Sequence, residues 1–196
     1  MALAEQYIEK EHYTEAEYFE IESRSFGRWE YVNGKIRQMS GGTTDHGDIS
    51  SNLVRILGNA RVPRGCHVYG SDVKIHTRDG INTFPDISVV CEPNRYYLGK
   101  KDIILNPLLI AEVLSPSTES YDRGGKFAHY QTIETLADYL LVEQDQARVT
   151  LYTRRADFWE MRVATRLNGS VFLPSVDVTL SLTDVYALVE FDAEPA

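Results

Sequence analysis

The stretch Leu108-Leu-Ile-Ala-Glu112-Val-Leu114 decides the fold class, because it is an unbroken apolar run with one acid inside it. Such a run is typical of a strand that is buried on both faces of a sheet. A second run, Ile87–Cys91, has the same character and directly follows Pro85-Asp86. We therefore predict two central strands, one with Asp86 at its mouth and the other with Glu112 in its interior.

The sequence around these runs predicts helices and further strands. Thr14-Glu-Ala-Glu17 is a capping box that opens a helix to about Glu22. Asn33-Gly34 predicts a hairpin between Trp29–Val32 and Lys35–Met39, and an apolar stripe at helical spacing predicts a helix over Asp45–Ala60. Further strands are predicted at Cys66–Tyr69, Val73–His76, Tyr139–Glu143, Arg148–Thr153, Trp159–Arg166 and Ser170–Leu173, and further helices at Tyr121–Ile133 and Thr183–Val189.

Two turns complete this outline of the fold. Gln144-Asp145 is expected to turn the chain between two strands, and Asn168-Gly169 to join the last two predicted strands in a late hairpin. Helices among buried and half-buried strands predict an α/β or α+β fold.

The composition is that of one globular domain. The 196 residues are 43% apolar and 25% charged, close to the averages for folded domains. No linker or repeat divides them, so we predict a single domain over residues 1–196 with a core at Tyr13–Val189. The ends, Met1–Lys10 and Asp192–Ala196, are expected to be loose.

Charge and cysteine content exclude several classes of protein. The net charge is −9, which excludes a protein that coats nucleic acid through its overall charge but not one with a metal-filled cleft. No apolar run approaches the ~20 residues that span a bilayer, and the first residues do not resemble a secretory signal. Cys66 and Cys91 are too few for a disulfide framework. We expect them to pack as small hydrophobic residues in the reducing cytoplasm.

Asp86 and Glu112 are the first candidate site residues. An isolated carboxylate in a buried strand is costly unless it is protonated, paired or bound to a cation. Two acids on neighbouring central strands would form a hard-oxygen site for Mg²⁺ or Mn²⁺. The alternatives are a turn-capping role for Asp86 and a buried arginine partner for Glu112.

The helix predicted after Glu112 adds further candidates. Asp122, Lys126 and Tyr130 are spaced by four and share one helical face. Lys126 could reach back to orient a water or stabilise developing charge, although a solvated Asp–Lys pair is the alternative. Gly124-Gly125 weakens this helix, which indicates the close approach of a substrate or partner backbone.

Glu30 is a third candidate acid, because it alternates with Val32 and would then point into the core. The alternative is an edge-strand charge. The chain has no P-loop, nucleophile elbow or zincin motif, so no nucleotide cofactor is expected. His46 is interpreted as a capping or loop histidine.

Several motifs follow one another along the chain. They are Glu30-Tyr-Val-Asn-Gly34-Lys-Ile, Ser71-Asp-Val-Lys74, Pro85-Asp86-Ile-Ser-Val-Val, Ala111-Glu112-Val-Leu-Ser-Pro-Ser-Thr118, Tyr121-Asp122, Lys126, Tyr130 and Asp138-Tyr139-Leu-Leu-Val-Glu143. In this order the motifs resemble the Uma-two family of restriction endonucleases, a branch of the PD-(D/E)xK nuclease superfamily. The resemblance extends over Tyr13–Val189.

The resemblance implies a restriction-endonuclease-like core, with a mixed central sheet flanked by helices and a metal site across two central strands. Asp86 and Glu112 match the two acids of the superfamily motif. The motif's lysine would fall at Leu114, and Lys126 on the next helix is expected to replace it.

The implied activity is metal-dependent endonucleolytic hydrolysis of DNA by a protein that acts as a homodimer. Asp86 and Glu112 would bind one or two Mg²⁺ or Mn²⁺ ions, about 3.5–4 Å apart if there are two. Glu30 would complete the metal site, and Asp122 and Tyr130 would hold Lys126. The alternatives are a catalytically silent binding module with the nuclease fold and a metal-dependent phosphoesterase for a smaller substrate.

Overall fold

The computed structural model describes residues 10–39 and 41–191, which form three sheets and several helices. The predicted loose ends lie outside these residues, apart from Lys10. Among the residues described, no helix is both long and apolar enough to cross a membrane.

The helices and strands follow one another along the chain with short connections. In chain order they are α1 (Glu15–Arg24), β1 (Trp29–Val32), β2 (Lys35–Gln38), α2 (Thr44–Arg61), β3 (His67–Tyr69), β4 (Lys74–His76), β5 (Asn82–Thr83), β6 (Ile87–Val90), β7 (Ile103–Ile104), β8 (Leu109–Leu114), α3 (Glu119–Tyr121), a π-helical turn (Asp122–Lys126), α4 (Phe127–Tyr130), β9 (Asp138–Glu143), β10 (Arg148–Arg154), β11 (Trp159–Thr165), β12 (Ser170–Leu173), β13 (Val178–Ser181) and α5 (Leu182–Val185).

The largest sheet has six strands in the order β11-β10-β9-β8-β6-β3. Only β8 and β9 run parallel, and the other neighbours are antiparallel. Strands β6 and β8 are adjacent, with Ile87 opposite Ala111, and every residue of both strands is buried. The predicted mixed sheet with two buried central strands is therefore confirmed.

Each face of this sheet carries a separate hydrophobic core. Leu109, Ala111 and Val113 of β8 pack on the face covered by α2. Ile110 and Leu114 pack on the opposite face, against α4. Because side chains alternate along a strand, Glu112 lies on the α4 face with Ile110 and Leu114.

The second sheet has five strands in the order β2-β1-β5-β4-β7 and brings Glu30 on β1 to the same region. Strand β1 pairs with β5 at Tyr31 and Asn82. The chain then passes through Phe84-Pro85 from β5 into β6. Asp86 therefore lies where the two sheets meet.

Local motifs formed as the sequence predicts. Thr14 caps α1, and Glu17 completes the capping box. Asn33 and Gly34 have φ values of 51° and 79°, the left-handed pair that a two-residue hairpin turn requires.

The predicted late hairpin is wrong. Strand β11 pairs with β10 over seven residue pairs, whereas β12 pairs with β13, a strand that the sequence analysis missed. The alternating pattern at Trp159–Arg166 fits either partner, and pairing with β10 extends the large sheet.

The predicted helix Tyr121–Ile133 differs from the structure in its bounds and its regularity. It begins at Glu119, ends at Tyr130 and contains the π-helical turn, in which both Gly124 and Gly125 lie.

The expectation that Cys66 and Cys91 remain separate is also wrong, because the structure joins them in a disulfide. His67 of β3 pairs with Val90 of β6. One residue further along this antiparallel pair, Cys66 therefore faces Cys91. Both residues also pack against the hydrophobic core on the α2 face, as predicted.

Candidate active site

Asp86 and Glu112 lie side by side across the β6–β8 pair. The backbone amide of Asp86 is 3.4 Å from Glu112 Oε2, and Asp86 Oδ2 accepts a 2.8 Å hydrogen bond from the amide of Val113. The carboxylate of Asp86 thus bonds across strands and does not cap its own turn. These contacts fix both acids next to the last residue pair of β6 and β8, Ile87 and Ala111.

Glu112 is almost fully enclosed, with a side chain that is 3% exposed. Its Oε1 accepts hydrogen bonds of 2.9 Å from Lys126 Nζ and 2.9 Å from the Tyr130 hydroxyl. Burial raises the pKa of Glu112 well above its usual range, opposed by Lys126 and reinforced by repulsion from Asp86 and Asp122. The buried partner of Glu112 is therefore a lysine and not an arginine.

Lys126 is buried among carboxylates rather than solvated. Its Nζ lies 3.8 Å from Asp122 Oδ1 and 3.9 Å from Glu30 Oε1, in addition to Glu112. Burial lowers the pKa of Lys126, but the surrounding carboxylates outweigh this effect and hold the pKa well above its usual value. Lys126 is accordingly a buried, charged ammonium.

The π-helical turn that carries Asp122 and Lys126 is shaped by a glycine. A Cβ atom at Gly125 would lie 2.9 Å from the ring of Tyr121, which real Cβ contacts essentially never permit. The close approach expected at Gly124-Gly125 is therefore made at Gly125 by an aromatic ring of this chain. Burial of Asp122 in the turn raises the pKa of its carboxyl group, against the opposing effect of Lys126.

Glu30 is buried, as strand alternation predicts, and is 8% exposed. Its Oε1 accepts hydrogen bonds from the Thr83 hydroxyl and, at 3.0 Å, from the amide of Phe84. Glu30 thus ties β1 to the segment that leads into Asp86.

His46 belongs to the site, although the sequence analysis interpreted it as a capping or loop residue. Thr43 caps α2, whereas His46 Nε2 lies 3.2 Å from Asp86 Oδ2. The hydrogen bond with Asp86 raises the pKa of His46. In the sequence, His46 was notable only because it lies at the start of a helix after Gly41-Gly42, and that position does not reveal Asp86 as its partner.

The four acids Glu30, Asp86, Glu112 and Asp122 surround one lysine. If all are ionised, the carboxylates exceed the ammonium of Lys126 by three negative charges. A protonated His46 would offset one of these three negative charges. This excess favours a further cation.

These residues open into a cleft of about 800 Å³. Two arginines that the sequence analysis did not single out line its rim. Arg28 donates a 2.8 Å hydrogen bond to the carbonyl of Ser71, and the guanidinium of Arg37 lies 5.5 Å from the centre of the Tyr121 ring. The cleft therefore combines an acidic floor with a basic rim.

Comparisons with known proteins agree with this architecture. Two uncharacterized proteins of Synechocystis sp. are similar to the chain. The protein slr1290 is 35% identical over 176 residues, which cover 89% of this chain and 92% of that protein. The protein sll1609 is 32% identical over 145 residues, 74% of this chain and 82% of that protein.

A solved structure has the same fold. It is described as "a putative nuclease belonging to DUF820" from Anabaena variabilis and superposes with a TM-score of 0.70 at 22% identity. The match covers 85% of this chain and 93% of that chain.

A protein-family model described as "Putative restriction endonuclease" matches residues 15–183. That range contains Glu30, Asp86, Glu112 and Lys126. Together with the shared fold, this match confirms the resemblance found in the sequence, and the chain belongs to the Uma2 family.

Proposed function

We propose that this protein is a divalent-metal-dependent endonuclease that hydrolyses phosphodiester bonds of DNA in the cleft above Asp86 and Glu112. The observation that carries the proposal is the side-by-side placement of these two carboxylates, with Lys126 2.9 Å from Glu112. Membership of the Uma2 family supports DNA as the substrate.

The two acids fit a hard divalent ion. The hydrogen bonds of Asp86 fall on Oδ2, and the close contacts of Glu112 fall on Oε1. Oδ1 of Asp86 therefore remains for a cation, and Oε2 of Glu112 accepts only the long, 3.4 Å hydrogen bond from the amide of Asp86, so it also has a lone pair for one. In a β-strand, the backbone N–H and C=O groups of one residue point to the same edge of the strand. The carbonyl of Val113 therefore lies on the same edge of β8 as the Val113 amide that binds Asp86.

Side chains alone do not complete a metal cage. In residues 10–39 and 41–191, no three or more His, Cys, Asp or Glu side chains are grouped to hold an ion. Mg²⁺ usually binds through one or two carboxylates and keeps its remaining positions for water and substrate phosphate. Asp86 and Glu112 therefore suit Mg²⁺ or Mn²⁺. A bound ion would supply a water of lowered pKa and would stabilise charge on the phosphate.

The other site residues hold these groups and the substrate in place. Lys126 favours the ionised form of Glu112 against the effect of burial, and it supplies positive charge next to the reacting phosphate. Tyr130 fixes Glu112, and Asp122 and Glu30 fix Lys126. Since Oε1 of Glu30 is committed to Thr83 and Phe84, positioning is the role that its contacts favour, and its participation in metal binding stays a prediction. His46 positions Asp86.

The basic rim would bind the backbone of DNA. Arg37 is exposed, and Arg28 is 35% exposed in its side chain. Arginine binds phosphate with planar, paired hydrogen bonds. Because they line the same cleft as the acids, these two side chains could hold phosphates that flank the scissile bond.

Nicking of supercoiled plasmid tests the proposal. The purified protein is incubated with plasmid, single-stranded DNA and RNA in Mg²⁺, Mn²⁺ or EDTA. We expect metal-dependent nicking of DNA that Asp86→Ala and Glu112→Gln abolish. The control Asp177→Ala changes an exposed acid and should retain full activity.

Two outcomes would favour the alternatives. DNA binding without nicking would indicate a silent binding module, and hydrolysis of a small phosphodiester without DNA cleavage would indicate a phosphoesterase. Nicking by Asp86→Ala at the wild-type rate would refute the site assignment.

A further inference from the structure

Strand β11 is an edge strand of the six-stranded sheet. It pairs with β10 through seven consecutive residue pairs, from Arg148–Thr165 to Arg154–Trp159. On its other side it has no partner strand among the residues described. Edge strands are often blunted by proline, by charged side chains or by a bulge. The sequence of β11, WEMRVAT, contains no proline, its pairing with β10 is unbroken, and its two charged residues, Glu160 and Arg162, have opposite signs.

An apolar stripe runs along one face of this edge. Trp159, Met161 and Val163 alternate along β11 and share the face on which Tyr152 packs into the hydrophobic core. Phe127 of α4 covers Trp159, with 5.2 Å between ring centres. Beyond it, Met161 is 58% exposed and Val163 is 41% exposed.

We propose that β11 is the interface of a homodimer, in which β11 of a second copy pairs with it in antiparallel orientation. The two six-stranded sheets would then form one continuous sheet, and the stripe of each copy would lie against that of the other. The proposal does not depend on the activity proposed above.

The sequence of β11 selects one register. Residues that lie directly opposite each other in two paired strands share a face of the sheet, whereas neighbouring residues of one strand lie on opposite faces. The two-fold axis that relates the two copies of β11 must therefore pass through a residue and not between two residues. An axis at Met161 pairs Glu160 with Arg162 and Trp159 with Val163, each twice.

Neighbouring registers lack this complementarity. An axis at Arg162 places Arg162 opposite its own copy, and like charges directly opposite destabilise a sheet. An axis at Val163 leaves Arg162 opposite Ala164 and moves the partner of Glu160 outside the strand. Charge and apolar pairing therefore both favour the axis at Met161.

The interface lies far from the candidate active site. Glu112 on β8 is three strands from β11, so seven strand spacings, roughly 34 Å, separate the two copies of Glu112 across the sheet. Loss of the dimer should therefore leave each cleft intact, and a test of the dimer can fail without bearing on the nuclease activity.

Sedimentation equilibrium over a range of concentrations tests the interface. We expect the wild type to be a dimer and Met161→Lys to raise the dissociation constant about tenfold or more, because two ammonium groups would face each other. The control Phe26→Lys, at a residue 98% exposed elsewhere on the surface, should leave the dimer unchanged. Thermal unfolding by circular dichroism verifies that each variant is folded.

Oxidative cross-linking tests the register. Met161→Cys should form a covalent dimer, since residues on the axis are directly opposite and within reach of a disulfide. Val163→Cys should not, because its two copies would be about 13 Å apart. The native Cys66 and Cys91 are already joined, and the wild type in the same oxidant shows whether they cross-link copies.

Three results would overturn the proposal. They are a monomeric wild type at all concentrations, a dimer that Met161→Lys does not weaken, and cross-linking at Val163→Cys without cross-linking at Met161→Cys.

Discussion

Replacement of Lys126 by methionine should destabilise the fold far more than the loss of an exposed lysine. The ammonium is 2.9 Å from Glu112 Oε1. At an effective dielectric constant of about 20, unit charges at this distance attract by about 6 kcal/mol. Desolvation of both ions offsets most of this attraction in the intact pair, but a charge left alone keeps its desolvation cost.

The expected loss of unfolding free energy for Lys126→Met is therefore about 3–5 kcal/mol. Glu112→Gln should cost less, about 1–3 kcal/mol, because Lys126 retains Asp122 at 3.8 Å and Glu30 at 3.9 Å. The double variant should cost less than the sum of the two single variants, with a coupling of about 0.5–3 kcal/mol.

The loss of unfolding free energy in Lys126→Met should also depend on pH. Burial raises the pKa of Glu112, and without Lys126 this pKa should rise further. A carboxyl group with a raised pKa binds more protons in the folded state, so the stability deficit should be largest at neutral pH and above and should shrink as the pH falls.

Urea unfolding followed by circular dichroism measures these free energies, and an unchanged m-value shows that the unfolding reaction stays the same. The control Lys101→Met removes an exposed lysine and should change stability by about 0.5 kcal/mol or less. If Lys126→Met costs no more than the control, or if the two single variants are additive, the description of a buried ion pair is wrong.

Four further predictions test other parts of the structure. Tyr130→Phe removes a donor from Glu112 and should cost about 1–3 kcal/mol in urea unfolding. Thr14→Ala removes the cap of α1 and should cost about 1 kcal/mol in the same measurement. Arg37→Ala should lower the dependence of DNA affinity on salt by about 0.9 per phosphate contact, measured by fluorescence anisotropy in Ca²⁺; an unchanged slope would remove Arg37 from the interface. Because Asp86 raises the pKa of His46, protonated His46 stabilises the fold below its unfolded pKa, and this contribution is lost as the pH rises through the folded pKa. Urea unfolding in EDTA should show that decline in the wild type but not in His46→Gln.

Local interactions made much of the fold predictable from the sequence. The capping box at Thr14 and the turn at Asn33-Gly34 depend on neighbouring residues alone, and both formed as predicted. The strands at Ile87–Val90 and Leu109–Leu114 were predictable because burial on both faces leaves a continuous apolar run.

Interactions between distant residues explain what the sequence did not reveal. The strand that pairs with β11 depends on which sheet β11 extends. Cys66 and Cys91 are 25 residues apart in the sequence, and the pairing of β3 with β6 brings them together. His46 approaches Asp86 through the packing of α2 on the large sheet.

Part of the candidate site was predictable because buried charge is rare. Glu112 stood out as an acid in an apolar strand, and Lys126 through its spacing from Asp122. The partners of these residues were not predictable, since a lysine that follows two glycines on a predicted helix is usually solvated. Only the fold shows that it is 6% exposed and surrounded by carboxylates.

The most direct test of the central claim is diffraction from crystals of the protein grown with Mn²⁺, with data collected at the manganese absorption edge. We predict an anomalous peak roughly 2.1 Å from one oxygen of Asp86 and one of Glu112, and its loss in crystals of Asp86→Ala. The absence of a peak at these carboxylates in crystals of protein that cleaves DNA with Mn²⁺ would contradict the account.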